Sequence, residues 1–535
     1  MFSLSLEKFS VAKVLKTGLS SNWAVLFCIS LALLNKIILS WLFTNLEGDK
    51  TLYLLFSKSL LEGHSLLEPI KIGGSNNIFY RFNPAITSPV YSIIVAPILW
   101  LTRSYFTTSV IIDTLSWFVF FGGIYKIVQL VFQERWIINT FIICIGFFLY
   151  PHEINSGPKD TLAIGLILWS IYLTSRFIMD KTPSVLNSIT ISVVYCLFAL
   201  TKYLYSPLVI VFILLLFLHA WNRKSRNIFL KVITIASCCF LIAYFFNLYL
   251  LHLGKVYTDN TNSSFVKGFF PENLLQIYPF ISAALINTNF WCVQLEDIFK
   301  TPFYVFFNVF QLLDLLLFML ILFLSIYYYK NIKLPYLFFI FLSISMAIIF
   351  MVFYMSVTYK AFPNKAFTGG WTYVSESRSF LLIIIFFQLL FFYLIFKTNL
   401  VARGLKNFLF ILFVIECLHG VYYTIKQVNN SSQVLQANLS RNQIQKIVQA
   451  VVAKNEQYAA FPLLTTEDNI RRYALLNGID AYILPLKDCD SSLTLNQSYF
   501  VAAYAIDSTL LNKCLNTVVP VESIPPYTLY FYKQD

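Results

Sequence analysis

Long apolar runs separated by short polar turns dominate the chain. They fall near residues 22–44, 108–131, 136–150, 160–178, 186–201, 205–221, 228–251, 302–329, 335–358, 379–397 and 406–424. A helix of about 20 apolar residues spans roughly 30 Å of hydrocarbon. The pattern therefore predicts a polytopic α-helical membrane protein with about eleven transmembrane helices.

One further run, "ITSPVYSIIVAPILWL" at 86–101, is short and contains Pro89 and Pro97. Counting it as a span inverts everything that follows. The connections "WNRKSRN", "YKNIK" and "KTNLVARGLK" are short and basic, as cytoplasmic loops are. They share the inner side only if 86–101 does not cross. This reading makes 86–101 an interfacial or re-entrant segment, puts the N-terminus in the cytoplasm and gives a first outer loop at 45–107. The turns 151–159 and 202–204, the loops 252–301 and 359–378, and everything beyond 425 then lie outside. Lys8, Lys13 and Lys16 precede a first run too long for a signal peptide, so it reads as an uncleaved span.

The pattern changes near residue 428. "YAAFPLLTT", "DAYILPL", "SYFVAAYAI" and "YTLYFYK" read as strands, and "EDNIRRYALLNG" as a helix ending at Gly478. The expected organisation is a membrane domain over 1–427 and a small exported α/β domain over 428–535. Cys489 and Cys514 lie in the second and could pair in an oxidising compartment. Most other cysteines lie in apolar runs, where they serve as small core residues.

Composition agrees: 58% of residues are hydrophobic and 12% charged, with mean hydropathy +0.69. The net charge of +13 belongs to cytoplasmic loops, which removes any need for a nucleic-acid partner. No internal repeat suggests an inverted-repeat transporter.

The chemistry-bearing residues gather on the outer side. Glu47 and Asp49 follow the first span directly, and Asp49 also reads as the N-cap of "KTLYLLFSKSLLEG", a helix ending at Gly63. Its Leu52, Phe56 and Leu60 oppose Lys50 and Lys58, which suits a helix on the membrane surface. "YPHEINSGPKDTLAIGL" carries His152, Glu153, Lys159 and Asp160 before a helix. "ALTKYLYSP" puts Lys202 and Tyr203 in a tight turn, and "GGWTYVSESRSFLL" puts Glu376 and Arg378 at the mouth of a late span. Each of these has an ordinary reading as a cap or a snorkelling charge. Together, carboxylates and cations at outer helix ends suit a cleft that handles a phosphate at headgroup level.

The acid after the first span, the "LLEGHSL" and "FNPAITSPVYSIIVAPILWLT" stretches, "SGPKDTLAIGLILWSIYL", "LTK" and "YVSESRSF" resemble the GT-C superfamily of membrane glycosyltransferases. The likeness is to the lipid A aminoarabinose transferases and the protein O-mannosyltransferase-like enzymes, and it covers about residues 20–425. It implies a polyprenyl-phosphate sugar as donor, a glycan, lipid or protein hydroxyl as acceptor, and membrane lipid as surroundings. It also implies inversion and the bacterial inner membrane as location. Asp49 matches the first-loop catalytic acid and Asp160 the second. Lys202 and Arg378 match groups near the lipid phosphate, and Glu47, Lys159, Tyr203 and Glu376 are further candidates for binding substrate. Relatives often carry adjacent acids in the first loop, whereas Gly48 separates Glu47 from Asp49 here, and their double proline is Pro84-Ala85. Which carboxylate is the base stays open. So does a divalent ion, for which Asp49, Asp160, Glu153 and His152 are the candidate ligands.

Two rivals are an O-antigen polymerase or ligase and a transporter or flippase for lipid-linked sugars. A transporter should carry mid-span charge, for which Asp314 is the main candidate.

Overall fold

A computed structural model describes residues 21–43, 49–63, 68–70, 79–81, 89–148, 158–202, 205–257, 336–358, 362–364, 369–371, 377–397, 403–431, 442–457, 461–484, 497–515 and 518–533, with scattered positions between 268 and 323. The elements in chain order are α1 (Asn22–Phe43), α2 (Asp49–Leu61), β1 (Glu68–Ile70), β2 (Phe79–Arg81), α3 (Pro89–Thr102), α4 (Tyr105–Val131), α5 (Arg135–Phe148) and α6 (Pro158–Met179). There follow α7 (Val185–Thr201), α8 (Leu208–Arg223), α9 (Arg226–Tyr257), α10 (Tyr336–Thr358), β3 (Phe362–Asn364), β4 (Gly369–Trp371), α11 (Ser377–Lys397) and α12 (Arg403–Asn429). The C-terminal part contains α13 (Asn442–Gln457), β5 (Leu463–Thr465), α14 (Asp468–Leu476), β6 (Ala481–Ile483), β7 (Tyr499–Tyr504), α15 (Ser508–Cys514), β8 (Val518–Ile524) and β9 (Tyr527–Tyr532).

The protein is a polytopic helical membrane protein. Six of the described helices are long and apolar enough to cross a membrane: those over Trp23–Leu42, Tyr105–Val131, Asp160–Met179, Arg226–Phe246, Tyr336–Tyr354 and Gly404–Asn429. Shorter apolar helices accompany them, including α5, α7, α8 and most of α11. Helices occupy the apolar runs of the sequence, except that 302–329 falls almost wholly outside the described residues.

The chain forms two compact units. The first comprises 1–40, 113–244 and 261–426; the second comprises 41–112, 245–260 and 427–535.

In the first unit, small residues let helix backbones meet. A Cβ at Gly146 of α5 would lie 2.5 Å from Ala32 Cβ of α1, and one at Gly420 of α12 would lie 2.0 Å from the Phe147 carbonyl. Where hydrophobic driving force between helices is weak, such close approach lets dispersion and polar contacts hold the bundle. Asn35 ties three helices together. Its amide donates to Gly146 O at 2.9 Å, and its carbonyl accepts from the Thr424 hydroxyl at 2.7 Å. Rings fill the space between α5, α10, α11 and α12. Phe141 meets Phe392 edge-on at 5.0 Å, Phe392 meets Phe413 at 4.9 Å, and Phe341 stacks on Phe386 at 5.2 Å.

In the second unit the C-terminal sheet runs β6-β5-β7-β9-β8. β5 pairs in parallel with both β6 and β7, while β9 runs antiparallel to β7 and β8. Strand alternation divides the core in two. Leu463, Phe500, Ala502 and Leu529 pack on one face with Ile447 and Val451 of α13 and Ile470 and Ala474 of α14. Leu464, Val501, Ala503 and Tyr530 pack on the other with Leu511 and Cys514 of α15. Cys514 is disulfide-bonded, and Cys489 lies outside the described residues. β8 escapes a sequence reading because Pro520 interrupts it. It is an edge strand with a register shift between Pro520 and Glu522, the kind of position where a sheet tolerates proline.

The same unit contains α2 and α3. Residues 51–57 and 59 of α2 are all buried, Thr51, Ser57 and Ser59 included, so its packing extends well beyond the stripe of Leu52 and Phe56. Tyr53 meets Tyr91 of α3 edge-on at 5.2 Å, and the Ser57 hydroxyl donates to Ser92 O at 3.1 Å. Gly63 ends α2 with φ +80°, a conformation that suits glycine.

Candidate active site

α6 and α7 form an antiparallel hairpin through 180–184, closed mid-length by a 2.6 Å hydrogen bond between the Thr174 and Tyr195 hydroxyls. α6 lies tight against α4. A Cβ at Gly165 would come 2.9 Å from Phe120 N, and the Trp169 indole donates to Val119 O at 3.0 Å. These contacts fix the end of the hairpin away from its turn, where Asp160 opens α6 and Lys202 caps α7.

There Lys202 Nζ forms an ion pair with Asp160 Oδ1, the side chains being only 14% and 4% exposed. The ammonium also stands 5.1 Å from the Tyr205 ring centroid, within cation–π range. A carboxylate so poorly hydrated needs its cation, because neither charge would be tolerated there alone. The sequence separates the two by 42 positions, counting from Asp160 to Lys202, yet the hairpin brings them together.

The remaining expected site residues are not joined to this pair by the described structure. Asp49 opens α2 in the second unit. Lys159 lies in the first turn of α6 and Arg378 in that of α11, with backbone placement alone described. Glu47, His152, Glu153, Tyr203 and Glu376 lie outside the described residues. Among the described residues, no group of three or more His, Cys, Asp or Glu could hold a metal ion.

The apolar helices also bury ionisable residues that a reading centred on loops passes over. Lys36 of α1, Asp113 of α4, and Glu416 and His419 of α12 are all at most 9% exposed. Lys36 Nζ lies 5.2 Å from the ring of the buried Trp117. The signal was plain in the sequence, since each charge interrupts an apolar run. Asp314, the expected mid-span acid, lies outside the described residues.

No protein-family model matches the chain, and no curated protein matches it. Among solved structures, ArnT from Cupriavidus metallidurans in the apo state aligns over 95% of this chain and 97% of its own, at 9% identity and TM-score 0.54. A structure of the same ArnT bound to undecaprenyl phosphate aligns over 95% and 98%, at 12% identity and TM-score 0.47. The chain is thus similar along nearly its whole length to ArnT, a lipid A aminoarabinose transferase, and has the GT-C fold that its sequence motifs resemble.

Proposed function

We propose that the chain is an integral-membrane glycosyltransferase that moves a sugar from a polyprenyl-phosphate donor to an acceptor hydroxyl on the outer side of the membrane. The observation that carries this reading is the buried Asp160–Lys202 pair at a helix end, in a chain whose fold is that of ArnT.

In this reading the acceptor oxygen attacks the anomeric carbon while the bond from that carbon to the phosphate oxygen breaks, inverting the centre. The acceptor proton passes to a carboxylate, Asp49, and the bonding pair leaves with the polyprenyl phosphate. A phosphate needs little protonation to depart, so one base and local cations suffice. This differs from glycoside hydrolysis, where a general acid protonates an alkoxide leaving group. Lys202 and Arg378 receive the phosphate. An ammonium has three N–H donors, so Lys202 can keep Asp160 while donating to a phosphate oxygen. Asp160 orients the acceptor, or a divalent ion should one bind. Glu47, Lys159, Tyr203 and Glu376 line the substrate. The orientation that goes with this puts the N-terminus in the cytoplasm and residues 428–535 outside, as the basic connections favour. The disulfide at Cys514 supports an oxidising side for that domain.

Transport of a lipid-linked sugar is a second reading, favoured by the buried Lys36, Asp113 and Glu416 inside apolar helices.

The two separate in one assay. Purified protein in nanodiscs is given synthetic polyprenyl-phosphate sugars together with a cell-envelope extract as the source of acceptor hydroxyls, and release of polyprenyl phosphate is measured. Release supports transfer. No release in nanodiscs, together with movement of the intact lipid between leaflets of proteoliposomes, replaces it with transport.

A further inference from the structure

α14, in the C-terminal part of the chain, ends in a turn whose last carbonyls, those of Leu475 and Leu476, take a side-chain partner from another element. Gly478, with φ +79°, turns the chain away after Asn477. The backbone N–H of Gly478 reaches back to Leu475 O at 3.2 Å, and that of Ile479 to Ala474 O at 3.0 Å. These are the bonds of a left-handed helix stop. The Leu476 carbonyl is served from elsewhere. Lys58 Nζ, from α2, donates to Leu475 O at 2.8 Å and to Leu476 O at 3.2 Å. The Tyr105 hydroxyl, at the start of α4, also donates to Leu476 O.

This is a cap made across the fold. A cation at a helix C-terminus meets the negative end of the helix dipole as well as two acceptors. The ammonium is largely sheltered, its side chain 21% exposed, and the Glu62 carboxylate lies at 3.7 Å. Hydrogen bonds that involve a charged donor are the stronger kind. The element that supplies the lysine is itself buried on every side from Thr51 to Ser57. α2 therefore has little freedom to shift without breaking the cap. Its first residue is Asp49.

We propose that Lys58 is a positioning residue: it clamps α2 to the C-terminal end of α14, so that the C-terminal domain sets the placement of the helix that begins at Asp49. The proposal rests on the glycosyltransferase reading for its consequence in turnover, and on the contacts alone for the clamp. It gives the C-terminal domain a role in holding the first outer loop, with no chemistry of its own. Any event that moves α14, such as an acceptor docking on that domain, is passed to α2 through a pair of hydrogen bonds.

The test compares full-length wild type, Lys58→Met and Lys58→Arg in nanodiscs, each first shown to elute as a monodisperse species. Hydrogen exchange of the amides of residues 51–57, in the absence of any substrate, reads the clamp directly. Lys58→Met is expected to speed that exchange about tenfold, the size of one lost charge-assisted hydrogen bond, and Lys58→Arg is expected to restore most of the protection. Glu62→Gln should leave the exchange unchanged. In donor turnover, Lys58→Met is expected to lower kcat about tenfold with KM for the donor unchanged, the signature of lost positioning rather than lost binding. Unchanged exchange at 51–57 in a folded Lys58→Met protein overturns the clamp. Faster exchange with unaltered kcat overturns the positioning role. If wild type turns over no donor, the glycosyltransferase reading fails, and the exchange arm still decides the clamp.

Discussion

Lys202 and Asp160 form a buried ion pair at the end of the α6–α7 hairpin opposite its turn. The pair has a thermodynamic signature independent of any activity. Lys202→Met leaves a carboxylate stranded at 4% exposure, which is expected to cost about 3–5 kcal/mol. Asp160→Asn combined with Lys202→Met removes both charges and should recover more than half of that loss. Unfolding midpoints in detergent, followed by intrinsic fluorescence, supply the cycle. Additive losses would mean that the two side chains do not interact.

Close helix approach in the first unit makes a sharper forecast. Gly420→Ala sets a methyl 2.0 Å from the Phe147 carbonyl oxygen and 2.8 Å from its carbon, and backbone cannot yield as a side chain would. A loss of about 1–3 kcal/mol is expected. Gly404, on the same helix, has nothing within 4 Å of a new Cβ. Gly404→Ala should be neutral, or stabilising by about 0.5–1 kcal/mol through helix propensity. Comparable destabilisation of both variants would contradict the packing of α12 on α5.

The disulfide at Cys514 is expected to leave that thiol unlabelled when the purified protein is alkylated without reductant. Labelling should appear after reduction, and peptide mass spectrometry then names the partner cysteine. A Cys514 that labels fully in the unreduced protein would contradict the assignment and weaken the case for export of the domain.

Glu134, in the connection before α5, accepts a 2.9 Å hydrogen bond from Lys397, which holds its carboxyl below the usual range. A lowered folded-state pKa contributes stability above the unfolded value of 4.5 and loses it as the pH falls through the folded value. Glu134 is 44% exposed, so the contribution is small, about 0.2–1 kcal/mol. The midpoint difference between wild type and Lys397→Met should therefore be modest at pH 7 and shrink in acid. A gap that widens as pH falls would reverse the sign.

The sequence disclosed some of this and withheld the rest for physical reasons. Apolar runs announced the helices because twenty consecutive apolar residues leave the backbone few alternatives in a bilayer. Gly63 and Gly478 announced helix ends because both take positive φ. β8 stayed hidden behind Pro520, since an edge position cannot be told from a loop by composition. Asp160 and Lys202 were each legible as charges at helix ends, but their pairing depends on a hairpin and could not be read from spacing. Lys58 read as one polar face of an amphipathic helix. Its acceptor lies 417 positions away, and a backbone carbonyl leaves no mark in a sequence.

Transfer from a lipid phosphate with Asp49 as base predicts a specific loss. It is measured as polyprenyl phosphate release from a polyprenyl-phosphate sugar in nanodiscs supplied with a cell-envelope extract as acceptor, with wild type beside Asp49→Asn at matched expression and midpoint. Wild type is expected to release polyprenyl phosphate, and Asp49→Asn to lose at least about a hundredfold in kcat, as removal of a general base entails. Near-normal release by Asp49→Asn would contradict it and leave Asp49 as a first-turn carboxylate of α2.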